Sequence, residues 1–192
     1  MGAADRRCLI KCLLFVLAFG FCIGNLTVTP TPYLQDLGYS TSFAAFAMSL
    51  ALVASALGKP VEGRMADRIG IKKVTLLAFA GTVICLLCLI FFVKPIILVP
   101  FLIATFLSDA YSTVGVSLIP GTVFEGPMRD RSVGLFNGAM SLGYGMAPFL
   151  SGYVFDISGS YVPIYIISLV FIVLAFPQLY TILRGKRDLP SD

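Results

Sequence analysis

The sequence predicts an all-α integral membrane protein with six transmembrane helices, and its composition favours this class. Of the 192 residues, 58% are apolar and only 12% are charged, against about 45 to 50% and about 25% in an ordinary soluble domain. The mean hydropathy is +0.93, and a chain this short cannot hide so much apolar surface in one core. Most of that surface must therefore face lipid or other helices.

Six segments each approach the roughly 20 apolar residues that cross about 30 Å of hydrocarbon. They cover residues 12–34, 43–63, 74–93, 96–119, 132–155 and 161–183. The first follows Arg6, Arg7 and Lys11, as a signal peptide would, but its apolar stretch is too long and no small-residue cleavage site follows it. The second reaches full length only if it continues through Lys59 and Pro60. We expect one bundle with short connections and no soluble domain.

The positive charges lie almost entirely at one end of these spans. All but one of the 14 Lys and Arg residues lie at one end of the spans: before the first, at or after the inner end of the second, which includes Lys59, or after the fourth or sixth. Lys94 is the exception. Because positively charged flanks stay in the cytoplasm, we expect both termini there, with the protein in the cell membrane.

A short motif, G-x-x-x-D-x-x-G, ends both the second and the fifth span. Its residues are Gly63, Asp67 and Gly70 in the first copy and Gly152, Asp156 and Gly159 in the second. Three spans separate the copies, as expected of two three-helix units with inverted topology, residues 12–93 and 96–183. Chance remains the alternative, because Gly and Asp are common in the turns between helices.

The first copy continues into a basic segment, GRMADRIGIKK, at residues 63–73. This segment resembles the loop between the second and third helices of a half of the major facilitator superfamily. The residues that match are Gly63, Asp67, Arg68, Gly70, Lys72 and Lys73. Three further segments resemble the C-terminal half of that superfamily, and its monocarboxylate-transporter-like branch in particular. They are Lys59 with Pro60, GYGMAP at 143–148 and YVFDISGSY at 153–161. In that branch an Arg often precedes the Pro and an Asp lies one turn earlier, where this chain has Lys59 and Ser55.

The resemblance implies that the loop at 63–73 is a cytoplasmic gate. Asp67 is expected near the start of the third helix, where the positive end of the dipole stabilises a carboxylate by about 0.3 to 1 kcal/mol. Arg68, Lys72 and Lys73 would pair with it or with neighbouring helix carbonyls. The alternative is a solvated basic loop that only fixes the topology.

Asp109 is identified as the one ionisable residue in the middle of a span. Such a residue costs about 2.5 to 3.5 kcal/mol at the bilayer centre, so it should face the interior, with Thr105, Ser108 and Ser112 on the same stripe. It is the candidate to carry a proton during transport. A structural Asp that accepts hydrogen bonds from its neighbours is the alternative.

Four further residues are candidates for the substrate path. They are Lys59, Asn25, Asn137 and Tyr144. Lys59 would attract an anion or extend its ammonium group to the headgroups, and the neutral residues would bind a ligand or bond between helices. The glycines of the fifth span, at 134, 138, 145 and 152, are expected to allow tight helix packing.

The sequence thus predicts half of a secondary transporter that moves a small solute, with a monocarboxylate and a proton as the favoured pair. A second six-helix half would come from missing upstream sequence, another chain or a second copy. No enzyme activity, cofactor, metal site or nucleic-acid partner is expected: the chain has no His, and its Cys85-x-x-Cys88 lies in an apolar run where thiolates are costly. The competing hypothesis is a non-transporting membrane scaffold derived from a transporter half.

Overall fold

The computed structural model describes residues 3–92, 94–124 and 126–185, and helices are the regular elements within them. They are α1 (Ala3–Val28), α2 (Pro30–Asp36), α3 (Thr41–Ile69), α4 (Ile71–Ile90), α5 (Leu98–Ser108), α6 (Tyr111–Val123), α7 (Pro127–Ser158) and α8 (Val162–Gly185). A 3-10 turn, Pro95–Ile97, precedes α5. The predicted all-α class is confirmed. Residue 93, where the third predicted span ends, and the basic residues 186 and 187 lie outside the described part.

Within the described residues, four helical segments are long and apolar enough to cross a membrane. They are Arg6–Val28, Thr41–Ile69, Ile71–Ile90 and Pro95–Val123. Val162–Gln178 is a shorter apolar helix. α7 has 32 residues, enough to span a bilayer at about 1.5 Å per residue, but Gly and polar residues interrupt its apolar sequence.

Proline and glycine set the ends of several helices. Pro30 occupies the first position of α2, where its missing N–H costs nothing. Ser40 caps α3, since its Oγ accepts a hydrogen bond from the amide of Phe43 at 3.2 Å. Pro60, by contrast, lies inside α3, so the second span does continue through Lys59 and Pro60, as its full length required. Membrane helices tolerate such a residue because neighbouring groups satisfy the freed carbonyl.

In both copies of the repeated motif the last glycine follows the end of a helix with a positive φ. This angle is +83° at Gly70, after α3, and +67° at Gly159, after α7, and glycine adopts it without strain. The ψ angles differ, at 152° and 17° respectively. In each copy the Asp, Asp67 or Asp156, lies three residues before that glycine, in the last turn of its helix. The copies thus share positions but not one backbone conformation, and the inverted repeat stays a prediction.

The expected position of Asp67 was wrong. Asp67 lies in the last turn of α3, which ends at Ile69, and α4 begins only at Ile71. The carboxylate is therefore at the negative end of the α3 dipole, and Arg68 beside it is the residue that complements that end. Both side chains are exposed.

α1 is the most buried span and packs closely on α7 through glycines. Cβ atoms built at Gly20 and Gly143 would collide with the carbonyl oxygens of Met140 and Leu17 respectively, and one at Gly24 would lie 2.7 Å from the Tyr144 carbonyl oxygen. Any larger residue at these positions must push the two helices apart.

The glycines expected to pack tightly in the fifth span do not do so within this chain. They are Gly134, Gly138, Gly145 and Gly152, and a Cβ at each would meet no heavy atom of the described residues within 4 Å. They lie on the opposite side of α7 from Gly143, because that glycine already faces α1. The expectation of tight packing at these four positions was therefore wrong for contacts inside the chain.

Candidate functional site

One stripe of α3 faces the bundle interior, and a charged residue lies at its end. The buried positions recur every three or four residues, as a helix packed on a core requires. They are Ala44, Ala47, Met48, Ala51, Ser55, Gly58 and Glu62. Lys59 lies off this stripe and is exposed.

Asp109 lies at a short interruption of the α-helical hydrogen-bond pattern in the fourth predicted span. α5 ends at Ser108 and α6 begins at Tyr111. The Asp109 amide still donates to the Thr105 carbonyl at 3.1 Å, but its own carbonyl accepts from Ser112 at 3.0 Å, an i to i−3 bond. The interruption is confined to the hydrogen bonds, because Asp109 and Ala110 both keep helical dihedral angles.

Two glycines allow the neighbouring helices to approach this interruption. A Cβ built at Gly58 of α3 would collide with the carbonyl oxygen of Phe106. One built at Gly81 of α4 would lie 2.9 Å from the carbonyl oxygen of Ala104. α5 is thus held between α3 and α4, with backbone against backbone.

The carboxylate of Asp109 accepts a hydrogen bond from across the interface. The donor is the Oγ of Ser55, on the buried stripe of α3. The expectation that Asp109 faces the interior therefore agrees with its contacts, although the side chain is only partly buried. Of its expected companions, Ser108 is buried, whereas Thr105 and Ser112 are partly buried.

Glu62 is a second acidic residue inside the bundle, and the sequence reasoning did not single it out. Its side chain is only 2% exposed, and its Oε2 has no hydrogen-bond partner among the described residues. Its spacing could have predicted its burial, since Glu62 follows Ser55 by seven residues, which is two helical turns along the same face. The cluster of positive charges around it concealed that pattern.

Another buried polar contact joins α6 to α4. Tyr111 is completely buried, and its hydroxyl is 2.6 Å from the Oγ1 of Thr75. This hydrogen bond links the two helices inside the bundle.

A small cavity borders Asp109. Its volume is about 20 Å³, and it is lined by Ile23, Leu26, Thr27, Met48, Ala51, Leu52, Phe101, Thr105, Ser108 and Asp109. A water molecule needs about 10 to 15 Å³ by this measure. The cavity therefore has room for about one water and is too small for an organic solute.

Asn25 belongs to a different polar cluster, between α1 and α8. Its Nδ2 donates to the Oγ of Ser168 and to the Phe21 carbonyl, both at 3.1 Å. One turn later, the Oγ1 of Thr29 is 2.9 Å from the hydroxyl of Tyr165. These contacts join two helices, which was the alternative to a ligand-binding role for Asn25.

The other substrate-path candidates are not gathered around Asp109. Lys59 is exposed on α3, and Asn137 and Tyr144 are exposed on α7. The amide of Asn137 donates to the carbonyl of Val133 at 3.0 Å, within its own helix. The structure thus brings Asp109 together with Ser55 and leaves Lys59, Asn137 and Tyr144 on outer surfaces of the described chain.

Comparison with known proteins gives two matches. The family model of the Major Facilitator Superfamily matches residues 12–191. A gallate transporter of Pseudomonas putida is 29% identical over 149 residues, which cover 76% of this chain and 32% of the relative. The chain thus spans about a third of the length of this curated relative.

Proposed function

Because the chain belongs to the Major Facilitator Superfamily, we propose that it is one six-helix half of a secondary transporter that moves a small solute by alternating access. The match to only 32% of a longer transporter supports a half rather than a whole carrier, and the predicted arrangement in two three-helix units agrees with this. The other half would be supplied by further sequence, by another chain or by a second copy.

The proposed solute is a monocarboxylate. Gallate, named for the relative, is a carboxylate anion, and the chain has a formal net charge of +4. The cavity beside Asp109, of about 20 Å³, has no room for such an anion. The solute site would therefore form between the two halves, where exposed Lys59 would attract the carboxylate.

The second half would pack on the exposed face of α7. Small and polar residues recur along this face: Gly134, Asn137, Gly138, Ser141, Gly145 and Pro148 are all exposed in the isolated chain. Small residues allow close approach of membrane helices, and an Asn amide is better satisfied by a helix than by lipid. Asn137 and Tyr144 would then border the solute path from this face.

Proton coupling would reside at Asp109. The single observation that carries this proposal is the Ser55 hydrogen bond to Asp109 at a helix interruption beside a water-sized cavity. Acidic residues inside transmembrane segments are costly, and they often mark proton relays in transporters. The basic loop 63–73, with Arg68, Lys72 and Lys73, would gate the cytoplasmic side.

Uptake by proteoliposomes tests this function. Purified chain would be reconstituted and supplied with labelled lactate, pyruvate or gallate, with and without an inward proton gradient. We expect gradient-driven accumulation that Asp109→Asn lowers at least tenfold, whereas the exposed control Asp130→Asn does not. Equal accumulation by Asp109→Asn would refute the coupling role.

The assembly is tested separately by mass measurement in mild detergent. A mass of two chains in active vesicles would identify a homodimer. A monomer that transports would contradict the proposed second half. Absence of uptake from a stable assembly of two halves would favour the membrane scaffold.

A further inference from the structure

We propose that the C-terminal end of α3 carries a binding site for one anionic phospholipid, whose phosphate would lie between Arg64 and Arg68 and whose acyl chain would lie along the apolar side chains beside them. The site is separate from the contact of Ser55 with Asp109, and it does not depend on the proposed transport.

An open groove of about 320 Å³ runs along one face of α3 near its C-terminal end. Its lining combines three apolar and two cationic side chains: Val61, Arg64, Met65, Arg68 and Ile69. Positions three and four residues apart share one face of a helix, so the guanidinium groups lie beside the apolar side chains. Pockets for small molecules measure about 300 to 1,000 Å³, and the groove therefore has room for a lipid headgroup and the adjoining part of a chain.

The two arginines of the groove carry charges that this chain does not neutralise. They are one turn apart, both are exposed, and neither guanidinium has a hydrogen-bond or ion-pair partner among the described residues. Like charges at i and i+4 destabilise a helix. A phosphate between Arg64 and Arg68 removes this repulsion, because it can accept hydrogen bonds from both planar guanidinium groups.

The length of α3 places the groove at the depth of the lipid headgroups. Its 29 residues extend about 44 Å at 1.5 Å per residue, whereas the hydrocarbon core is about 30 Å thick. The charged residues of α3 all lie from Lys59 onwards, so this is the end that projects from the hydrocarbon. Val61 then lies near the acyl chains, and Arg68 lies near the phosphates.

The charges around the groove favour an anionic lipid over a zwitterionic one. Lys59, Arg64, Arg68 and Lys73 are exposed, against one exposed carboxylate nearby, Asp67, which does not line the groove. Phosphatidylcholine brings an ammonium group that these cations repel, whereas phosphatidylglycerol does not. Each basic residue near a membrane surface strengthens binding to anionic lipid about fivefold, so the two arginines of the groove should give a preference of about tenfold or more.

Fluorescence quenching tests which lipid lies in the groove. The chain has no Trp, so Val61→Trp introduces a single reporter. This variant would be reconstituted in phosphatidylcholine vesicles that contain either brominated phosphatidylglycerol or the same mole fraction of brominated phosphatidylcholine. We expect phosphatidylglycerol to bind about tenfold more tightly, and Arg64→Gln combined with Arg68→Gln in the same background to remove the difference.

Two matched variants show whether the preference belongs to the groove. Phe46→Trp places the reporter on the same helix, at an exposed position outside the groove, and should report no preference. Arg129→Gln combined with Arg131→Gln, in the Val61→Trp background, removes the same charge from exposed positions on α7 and should leave the preference unchanged. An equal preference at Phe46→Trp, or equal loss with either arginine pair, would overturn the site.

The occupant is tested by competition and in the wild-type chain. Inorganic phosphate at constant ionic strength should not reduce the preference, and a reduction would assign the groove to a soluble anion instead. Mass spectrometry of the wild-type chain, from mild detergent with equal amounts of the two lipids, should show one retained phosphatidylglycerol that the Arg64→Gln, Arg68→Gln variant loses. Equal retention of the two lipids by the wild type would refute the proposal, whether or not the Trp variants fold.

Discussion

Ser55 connects the two helical systems that form the candidate site. It is 3% exposed and donates its hydroxyl to Asp109 across the interface of α3 with the α5–α6 interruption. A hydrogen bond to a charged group contributes about 1.5 to 3 kcal/mol. The residue type is ordinary in a membrane helix, so only its partner reveals what it does.

Replacement of Ser55 by Ala should therefore affect both stability and coupling. We expect a loss of about 1.5 to 3 kcal/mol in the free energy of unfolding, measured by thermal melting in detergent, and a changed pH profile of uptake.

Ser49→Ala is the matched control on the same helix. Ser49 is exposed, and among the described residues its hydroxyl bonds only to the carbonyl of Ala45, one turn earlier. If both variants melted and titrated alike, the bond from Ser55 to Asp109 would have no special role.

At the scale of elements, the sequence predicted the helices better than their junctions. The second span was expected to end at residue 63, beyond Pro60, whereas α3 continues to Ile69. Asp67 was expected at the start of a helix because the motif does not say on which side of Gly70 the turn falls. The positive φ of Gly70 ends α3 there and leaves Asp67 behind it.

The contact of α3 with α5 gives a prediction at the same scale. Gly58→Ala places a Cβ against the Phe106 carbonyl oxygen, which must separate the helices or strain them, at a cost of about 1 to 3 kcal/mol. We expect a lower melting temperature and weaker proton coupling, since the same separation moves Ser55 away from Asp109.

Gly63→Ala provides the comparison. It lies in the same helix, and a Cβ there meets no heavy atom of the described residues within 4 Å. In a helix interior Ala is favoured over Gly by about 1 kcal/mol, so this variant should melt at the same temperature or higher. The opposite order of the two variants would contradict the packing argument.

At the scale of the whole molecule, α7 has two faces that differ in their packing. Gly143 contacts α1, whereas Gly134, Gly138, Gly145 and Gly152 meet none of the described residues. Buried glycines that hold two helices together are needed by the half itself. Exposed ones are explained if another half approaches them, as proposed above.

Two Leu variants separate these faces. Gly138→Leu should leave the melting temperature of the isolated chain within about 0.5 kcal/mol of the wild type, as surface changes usually do, but reduce assembly with the second half and lower uptake severalfold. Gly143→Leu should prevent folding, because α1 occupies the space. Assembly measured by mass would check the first effect, and unimpaired assembly of Gly138→Leu would place the second half elsewhere.

Apolar runs are enough to predict the all-α membrane class, because they act locally and do not depend on which helices touch. They also single out Asp109, since a charge inside an apolar run is visible without a fold. The packed chain was needed to show that Ser55 bonds to Asp109, that Glu62 is buried, and that Lys59, Asn137 and Tyr144 are exposed. Burial and pairing depend on which face of each helix meets another, and distant segments such as α3 and α5 acquire that relation only when the chain is packed.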